Sequence, residues 1–144
     1  TNAIQANDFM FRRTVKDNGK TAKELLNEIK IDCDDNFEMS HMVNLTSKSL
    51  DYILENRDDQ EMLSCISFDY MMGFGYLVGG WLMDKAKRSA KKQLSKTSQN
   101  EIFLNSKIVS AEFYDFHILP RIDYHLKVLM KGAKVVQSAN DSFI

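Results

Sequence analysis

The feature that most constrains this chain is an apolar periodicity over its middle third. Tyr70, Phe74, Leu77 and Trp81 recur at spacings of four, three and four, with Met71, Val78 and Leu82 beside them. Apolar residues at that spacing share one face of an α-helix. Polar loops bound the pattern, "NRDDQ" before it and "SKTSQN" after it, and so it predicts one helix from about Gln60 to Leu94. A stripe this broad is buried over much of its width, which requires other helices around it. Gly73, Gly75, Gly79 and Gly80, four of the chain's six glycines, stand inside the same run. Each glycine costs a helix about 1 kcal/mol relative to alanine. The cost is tolerated where another backbone must come close. Gly75 and Gly79, four apart, share a face that Gly73 and Gly80 widen. Gly75, Gly79, Gly80 and Trp81 are therefore the expected packing or interface residues. Two readings of that surface stay open: close packing inside a bundle, or a flat seat for a second subunit or domain.

The flanking segments supply the other helices. Residues 1–13, "TNAIQANDFMFRR", read as a short amphipathic piece with Ile4, Phe9 and Phe11 as its apolar residues. "TVKDNGK" reads as a turn broken at Asn18-Gly19. Thr21 and Glu24 form a capping box for a helix to about Ile31, with Leu25, Leu26 and Ile29 on one side. Asp35 and Glu38 mark a second start, and Met42, Leu45, Tyr52 and Ile53 carry a helix from about Asn36 to Glu55. Ser98 with Glu101 caps the last long helix, whose apolar face is Leu104, Ile108, Ala111, Ile118, Ile122 and Leu129. Pro120 lies inside that face. It removes a backbone donor and crowds the carbonyl of Phe116, which predicts a kink without an end. Gly132 is a candidate terminus, and the residues after it form a short helix or a docked tail. Long helices joined by short polar loops predict an all-α antiparallel bundle of about four main helices. The 144 residues suit one domain with one core. One proline and few glycines argue against a many-turned β protein.

The same residues exclude several kinds of chemistry. A net charge of −1 does not suit a dedicated nucleic-acid binder. The longest uncharged run, Tyr70–Met83, holds about 14 residues, short of the ~20 that span a bilayer, so no transmembrane segment is expected. Cys33 and Cys65 give no disulfide framework, and a reducing, cytoplasmic location is expected. A di-iron bundle needs two Glu-x-x-His pairs. Only Glu38-Met-Ser-His41 occurs; His117 and His125 have no Glu three residues before them. No metal site is expected, and His41 reads as an exposed side chain at a capped helix start. Gly-x-Ser-x-Gly is absent, and Cys65, embedded among apolar residues, is expected to be an inert buried thiol. "GFGYLVGG" lies within a helix, where it cannot act as a dinucleotide loop. Lys85, Lys87, Arg88, Lys91, Lys92 and Lys96 form a basic run. It is read as a solvated helix end that complements the helix dipole, or as a surface for phosphates. From the residues alone, no catalytic constellation is expected.

Three segments, in order, resemble the acyl-CoA dehydrogenase family, in its members that carry an extra C-terminal helical domain. "TNAIQANDFMFRR" with "KDNGKTAKELLNEI" is similar to the family's Gly-Thr-Asn-x-Ile-Gln stretch, Arg, turn and helix. "GYLVGGWLMDKA" is similar to a glycine-plus-tryptophan helix of the extra domain. "KIVSAEFYDFHILPRIDYHLKVLMKGAKVV", followed by "NDSF", resembles its ending. The resemblance implies that residues 1–13 close the dehydrogenase domain, 14–20 form a linker and 21–144 form the helical bundle. The family oxidises acyl-CoA thioesters to 2-enoyl-CoA with FAD: a glutamate takes the α-proton and a hydride goes to the flavin. In many members that glutamate directly precedes the threonine matching Thr1, so by this match the chain begins just downstream of the catalytic loop. Thr1, with Asn2, would then lie near the flavin of the intact enzyme. Ala3 stands where many relatives have Gln. The implied cofactor is FAD in the parent and none in this fragment, which carries no catalytic residue of its own. The implied partners are the chain's own dehydrogenase domains, a second copy in a homodimer, and the parent's acyl-CoA substrate. The implied role is structural. The alternative is a free-standing helical interaction module with no enzymatic parent.

Overall fold

The computed structural model describes residues 2–97 and 99–139. Among them all regular structure is helical. Helix α1 (Asn2–Asn7) runs into π-helical turns over Asp8–Val15. There follow α2 (Lys20–Asp32), α3 (Phe37–Glu55), α4 (Gln60–Leu94), α5 (Glu101–His117), α6 (Arg121–Lys131) and α7 (Ala133–Gln137). The main members of this all-α bundle are α2, α3, α4 and the α5–α6 pair. No described helix is long and apolar enough to cross a membrane.

Helix α4 is the spine. Its 35 residues span about 50 Å at 1.5 Å per residue, and α1, α3, α5, α6 and α7 all pack on it. The apolar spacing read from the sequence is what buries it. Leu63, Ile66, Tyr70 and Leu77 are fully enclosed, and Phe74 and Trp81 nearly so. Opposite them stand Met39, Leu50 and Ile53 of α3 and Ile122 and Leu129 of α6. Tyr70 also receives the N-terminal segment: Phe9 stacks on its ring at 5.1 Å, and its hydroxyl lies 3.2 Å from Thr14 Oγ1. Burial pushes the Tyr70 phenol up to about 12. Ile4, expected on the apolar side, is 76% exposed; Ala6 and Met10 are the buried residues there.

Three local expectations differ from what forms. The first is the start of α2. Asn18 (φ 55°) and Gly19 (φ 72°) are both left-handed. This doubles the chain back, so that the Asp17 carboxylate accepts from Thr21 N–H (3.0 Å) and Thr21 Oγ1 (2.6 Å). Asp17, not Thr21, therefore supplies the cap. Gly19 meets a second constraint, because a Cβ there would lie 2.8 Å from Leu54. The second is the start of α3. Asn36 caps it in place of Asp35, accepting from Met39 N–H at 3.1 Å.

The third is Pro120, which does more than kink a helix. Helix α5 stops at His117, a tight turn follows, and α6 begins at Arg121. The Leu119 N–H reaches back to the Tyr114 carbonyl at 2.9 Å, while Arg121 N–H bonds Ile118 O at 3.0 Å. The turn rotates Leu119 into the core and leaves Ile118 half-buried. Ser98, expected to cap α5, lies outside the described residues; Asn100 (φ 62°) precedes that helix. Helix α6 ends at Lys131 against Gly132, and the short-helix reading of the following residues is realised as α7.

Candidate functional site

The glycine segment of α4 divides between two surroundings. A Cβ on Gly79 would run into the Tyr114 hydroxyl and lie 2.9 Å from Tyr114 Cζ. That hydroxyl donates to the Tyr76 carbonyl at 3.0 Å, so the tyrosine lies across the bare backbone. A Cβ on Gly80 would lie 2.7 Å from Leu119 and 3.2 Å from Met39 Sδ. Gly73 faces Leu126 at 3.0 Å. Gly75 instead opens outward, with no atom within 4 Å of its Cβ position. Its neighbours at one heptad on either side, Phe68 and Leu82, are exposed. Trp81 is nearly buried; its Nε1–H donates to Asp32 at 2.6 Å, and Lys85 Nζ lies 4.1 Å above its ring. Gly79, Gly80 and Trp81 thus meet neighbours of the same chain, whereas Gly75 does not.

The first half of the basic run, Lys85, Lys87 and Arg88, is tied to carboxylates of the bundle. Asp84, buried on α4, accepts from Arg88 Nε (2.8 Å) and Asn36 Nδ2 (3.2 Å). Asp32 accepts from Arg88 Nη2 (2.9 Å) as well as Trp81, with Lys85 Nζ at 3.5 Å. Hydrogen bonds from Arg88 and then Trp81 hold the Asp32 carboxyl below its usual range. Together these bonds fasten the α2–α3 connection to α4. Cys33 sits inside the same network. Burial and then the Asp84 charge push its thiol up to about 11, which keeps it protonated and inert at neutral pH. Lys87 pairs with Asp115 at 3.1 Å, in a groove also lined by Glu38 and Glu112. An anion entering beside Lys87 would meet three carboxylates. Lys91, Lys92 and Lys96 are exposed and enter no ion pair among the described residues.

The three histidines stand apart. His41 and Glu38 are exposed on the first turns of α3. His117 packs on Phe113, with ring centroids 4.4 Å apart. His125 Nδ1 lies 2.7 Å from Asp69 Oδ1, with Tyr76 and Tyr124 around the ring. Among the described residues, no three His, Cys, Asp or Glu side chains form a group that could hold a metal. Sequence reasoning missed the His125–Asp69 pair, whose members are separated by 56 residues and follow no periodic pattern.

It also missed the second face of α5. Leu104 and Ala111 point into the bundle as expected, with Ile108 half-buried. On the opposite side Ile102 (90% exposed), Val109 (64%), Phe113 (58%) and Phe116 (78%) follow at spacings of seven, four and three. Those spacings are helical, and the signal was available in the sequence.

Thr1, the expected flavin contact, lies outside the described residues. The glycine run cannot substitute as a phosphate cradle. It is interior to α4, where backbone N–H groups are already spent on helical hydrogen bonds. The glycine run therefore does not fit the phosphates of a flavin cofactor.

Comparison with curated proteins gives no match. A family model does match. It is described as acetyl-CoA dehydrogenase C-terminal like, and it covers residues 37–139, from the first residue of α3 past the end of α7. The matched region contains the whole of α4 with its glycine run and Trp81, the Pro120 turn and both faces of α5. Because the match takes in well over half of the sequence, the chain belongs to the acetyl-CoA dehydrogenase C-terminal-like family.

Proposed function

We propose that this chain is the structural and assembly domain at the C-terminal end of an FAD-dependent acyl-CoA dehydrogenase, and that it contributes by contact and not by chemistry. The observation that carries this is the family match over residues 37–139. The parent would oxidise acyl-CoA to 2-enoyl-CoA, with the flavin and the catalytic glutamate supplied by domains preceding Thr1. In this reading residues 1–13 close the dehydrogenase domain, 14–20 connect and 21–144 form the appended bundle. The packing of Phe9 and Met10 supports a stiff connection: both lie against the bundle core, and so the segment that would enter from the parent is already docked on α4. A cytoplasmic location belongs to the same proposal, supported by the two free thiols Cys33 and Cys65.

The test is deletion of residues 21–144 from the intact enzyme. The expected result is loss of assembly or of thermal stability with the flavin still bound. Unchanged oligomeric state, stability and acyl-CoA kinetics would refute the proposal. A selective rise in KM would instead assign the bundle to the substrate entrance.

A further inference from the structure

We propose that the outward face of α5 is a self-pairing surface, and that its occupant is the α5 of a second copy of this chain, antiparallel to the first about a two-fold axis at Val109. This deepens the assembly role above by naming the surface and the partner; it rests on that reading only for its purpose.

The first argument is symmetry. Val109 lies seven residues after Ile102 and seven before Phe116, so the apolar stripe has its midpoint on one residue. An antiparallel two-fold pairing sets Ile102 against Phe116 of the second copy, Val109 against Val109, and Phe113 over Asn105 and Ser106. Phe113 thus meets smaller side chains while Ile102 meets Phe116, and one operation covers both stripes, as an isologous interface requires. No charged residue lies on the central line from Ile102 through Val109 and Phe113 to Phe116. Glu112 flanks the line off its midpoint, and so does not face itself across the axis.

The second argument is area. At about 200 Å² for a fully exposed phenylalanine, Phe113 and Phe116 leave roughly 270 Å² open, and Ile102 and Val109 bring the stripe to roughly 500 Å². That is comparable with the largest apolar patch a typical monomer presents. Two copies would bury roughly 1,000 Å² from these four residues, about the threshold that a specific interface should clear. The 17-residue helix is about 25 Å long, so the stripe runs along nearly all of it.

The experiment is sedimentation velocity on the chain across a dilution series, with Val109→Glu as the discriminating variant. Val109 is mostly exposed in the single bundle, and glutamate is the better helix former, so the fold itself tolerates the change. Pairing would bring two carboxylates together in an apolar contact. The expected result is a reversible dimer for the parent chain, weakened by roughly 100-fold or more in Val109→Glu, with helical content and melting of the monomer unchanged. A second measurement uses geometry. In a Cys65→Ser background, Val109→Cys should oxidise to a covalent dimer, because only a residue at the axis brings its two copies within disulfide reach. Lys127→Cys, exposed on α6, should not. A parent chain that stays monomeric throughout the series, or a Val109→Glu chain as dimeric as the parent, overturns the pairing. A monomer that nevertheless binds its purified dehydrogenase domains overturns the pairing and leaves the proposed function standing. A dimer whose reading frame encodes no flavin domain upstream sustains the pairing and removes that function.

Discussion

Gly75 and Gly79 are one helical turn apart on α4, and replacing each with alanine should change stability in opposite directions. At Gly75 the new methyl enters open space. The substitution then acts through the backbone alone and should stabilise by about 1 kcal/mol, the propensity difference between the two residues. At Gly79 the same gain is opposed. The methyl occupies the position of the Tyr114 hydroxyl, with Cζ only 2.9 Å away, so the ring must withdraw. Withdrawal breaks the hydrogen bond to the Tyr76 carbonyl, worth about 1 kcal/mol net, and adds an overpacking cost of about 1–3 kcal/mol. Against the propensity gain, Gly79→Ala should destabilise by about 1–3 kcal/mol. Urea denaturation at fixed protein concentration measures both. At about 3–5 °C per kcal/mol for a chain of this size, thermal melting should separate the two variants clearly. Tyr114→Phe removes the atom that overlaps most, and in that background the penalty at Gly79 should shrink while the gain at Gly75 stays. Equal responses at the two glycines, or a Gly79 penalty indifferent to Tyr114→Phe, would refute the argument that Tyr114 holds the glycine bare.

The remaining expectations concern the polar network and the caps. Asp84→Ala should cost about 2 kcal/mol in urea denaturation, because Arg88 and Asn36 lose a charged acceptor, whereas exposed Lys92→Ala should stay within about 0.5 kcal/mol of the parent. Asp17 and Asp32 both have lowered carboxyl values, from the Thr21 hydrogen bonds and from the Arg88 bond respectively. Their contribution is therefore present above the ordinary value of 3.8 and lost as pH falls through the lowered ones. Asp17→Asn should accordingly reduce the difference in stability between pH 6 and pH 3, and an unchanged difference would count against the cap. Cys65, expected to be buried, is only half-buried, so with the thiol reagent DTNB it should react in the native protein and Cys33 only on unfolding; two equally fast thiols would contradict the burial of Cys33.

What could be read from the sequence was set by the range of the interaction responsible. The bounds of α4 fall where polar loops interrupt a helical period, and a period is a local property; the reading and the structure coincide at Gln60 and Leu94. The cap of α2 is equally local, yet it was misassigned. A capping box reads side-chain identity, whereas Asp17 reaches Thr21 only because Asn18 and Gly19 both turn left-handed. Pro120 was rightly marked as a disturbance. Whether it bends or ends a helix depends on the freed carbonyls and on the burial of Leu119, which are tertiary facts. The glycine run shows the limit most clearly. Four glycines announce a close approach, but what approaches Gly79 is a side chain 35 residues later, and Gly75, with the same local signature, meets nothing.

Helix α5 carries that distinction into function. A helix that only closes a bundle needs one apolar stripe, and α5 has that stripe in Leu104, Ile108 and Ala111 with Tyr114 at its edge. The second stripe on its far side does not help the isolated bundle fold, since Ile102, Val109, Phe113 and Phe116 remain largely exposed. Such side chains lower solubility and favour non-specific association when left open. The basic run at the end of α4 shows the opposite economy. Lys85, Lys87 and Arg88 have carboxylate partners within the chain, so their charge is accounted for by the fold. The features that invited a chemical reading, namely the glycines, the basic run and the lone Glu-x-x-His, thus turn mainly inward or stand alone. Among the described residues the stripe of α5 centred on Val109 is an apolar, helical feature that the fold does not consume. On the proposed reading such a domain acts on its surroundings through contact, and α5 offers that contact an open apolar stripe.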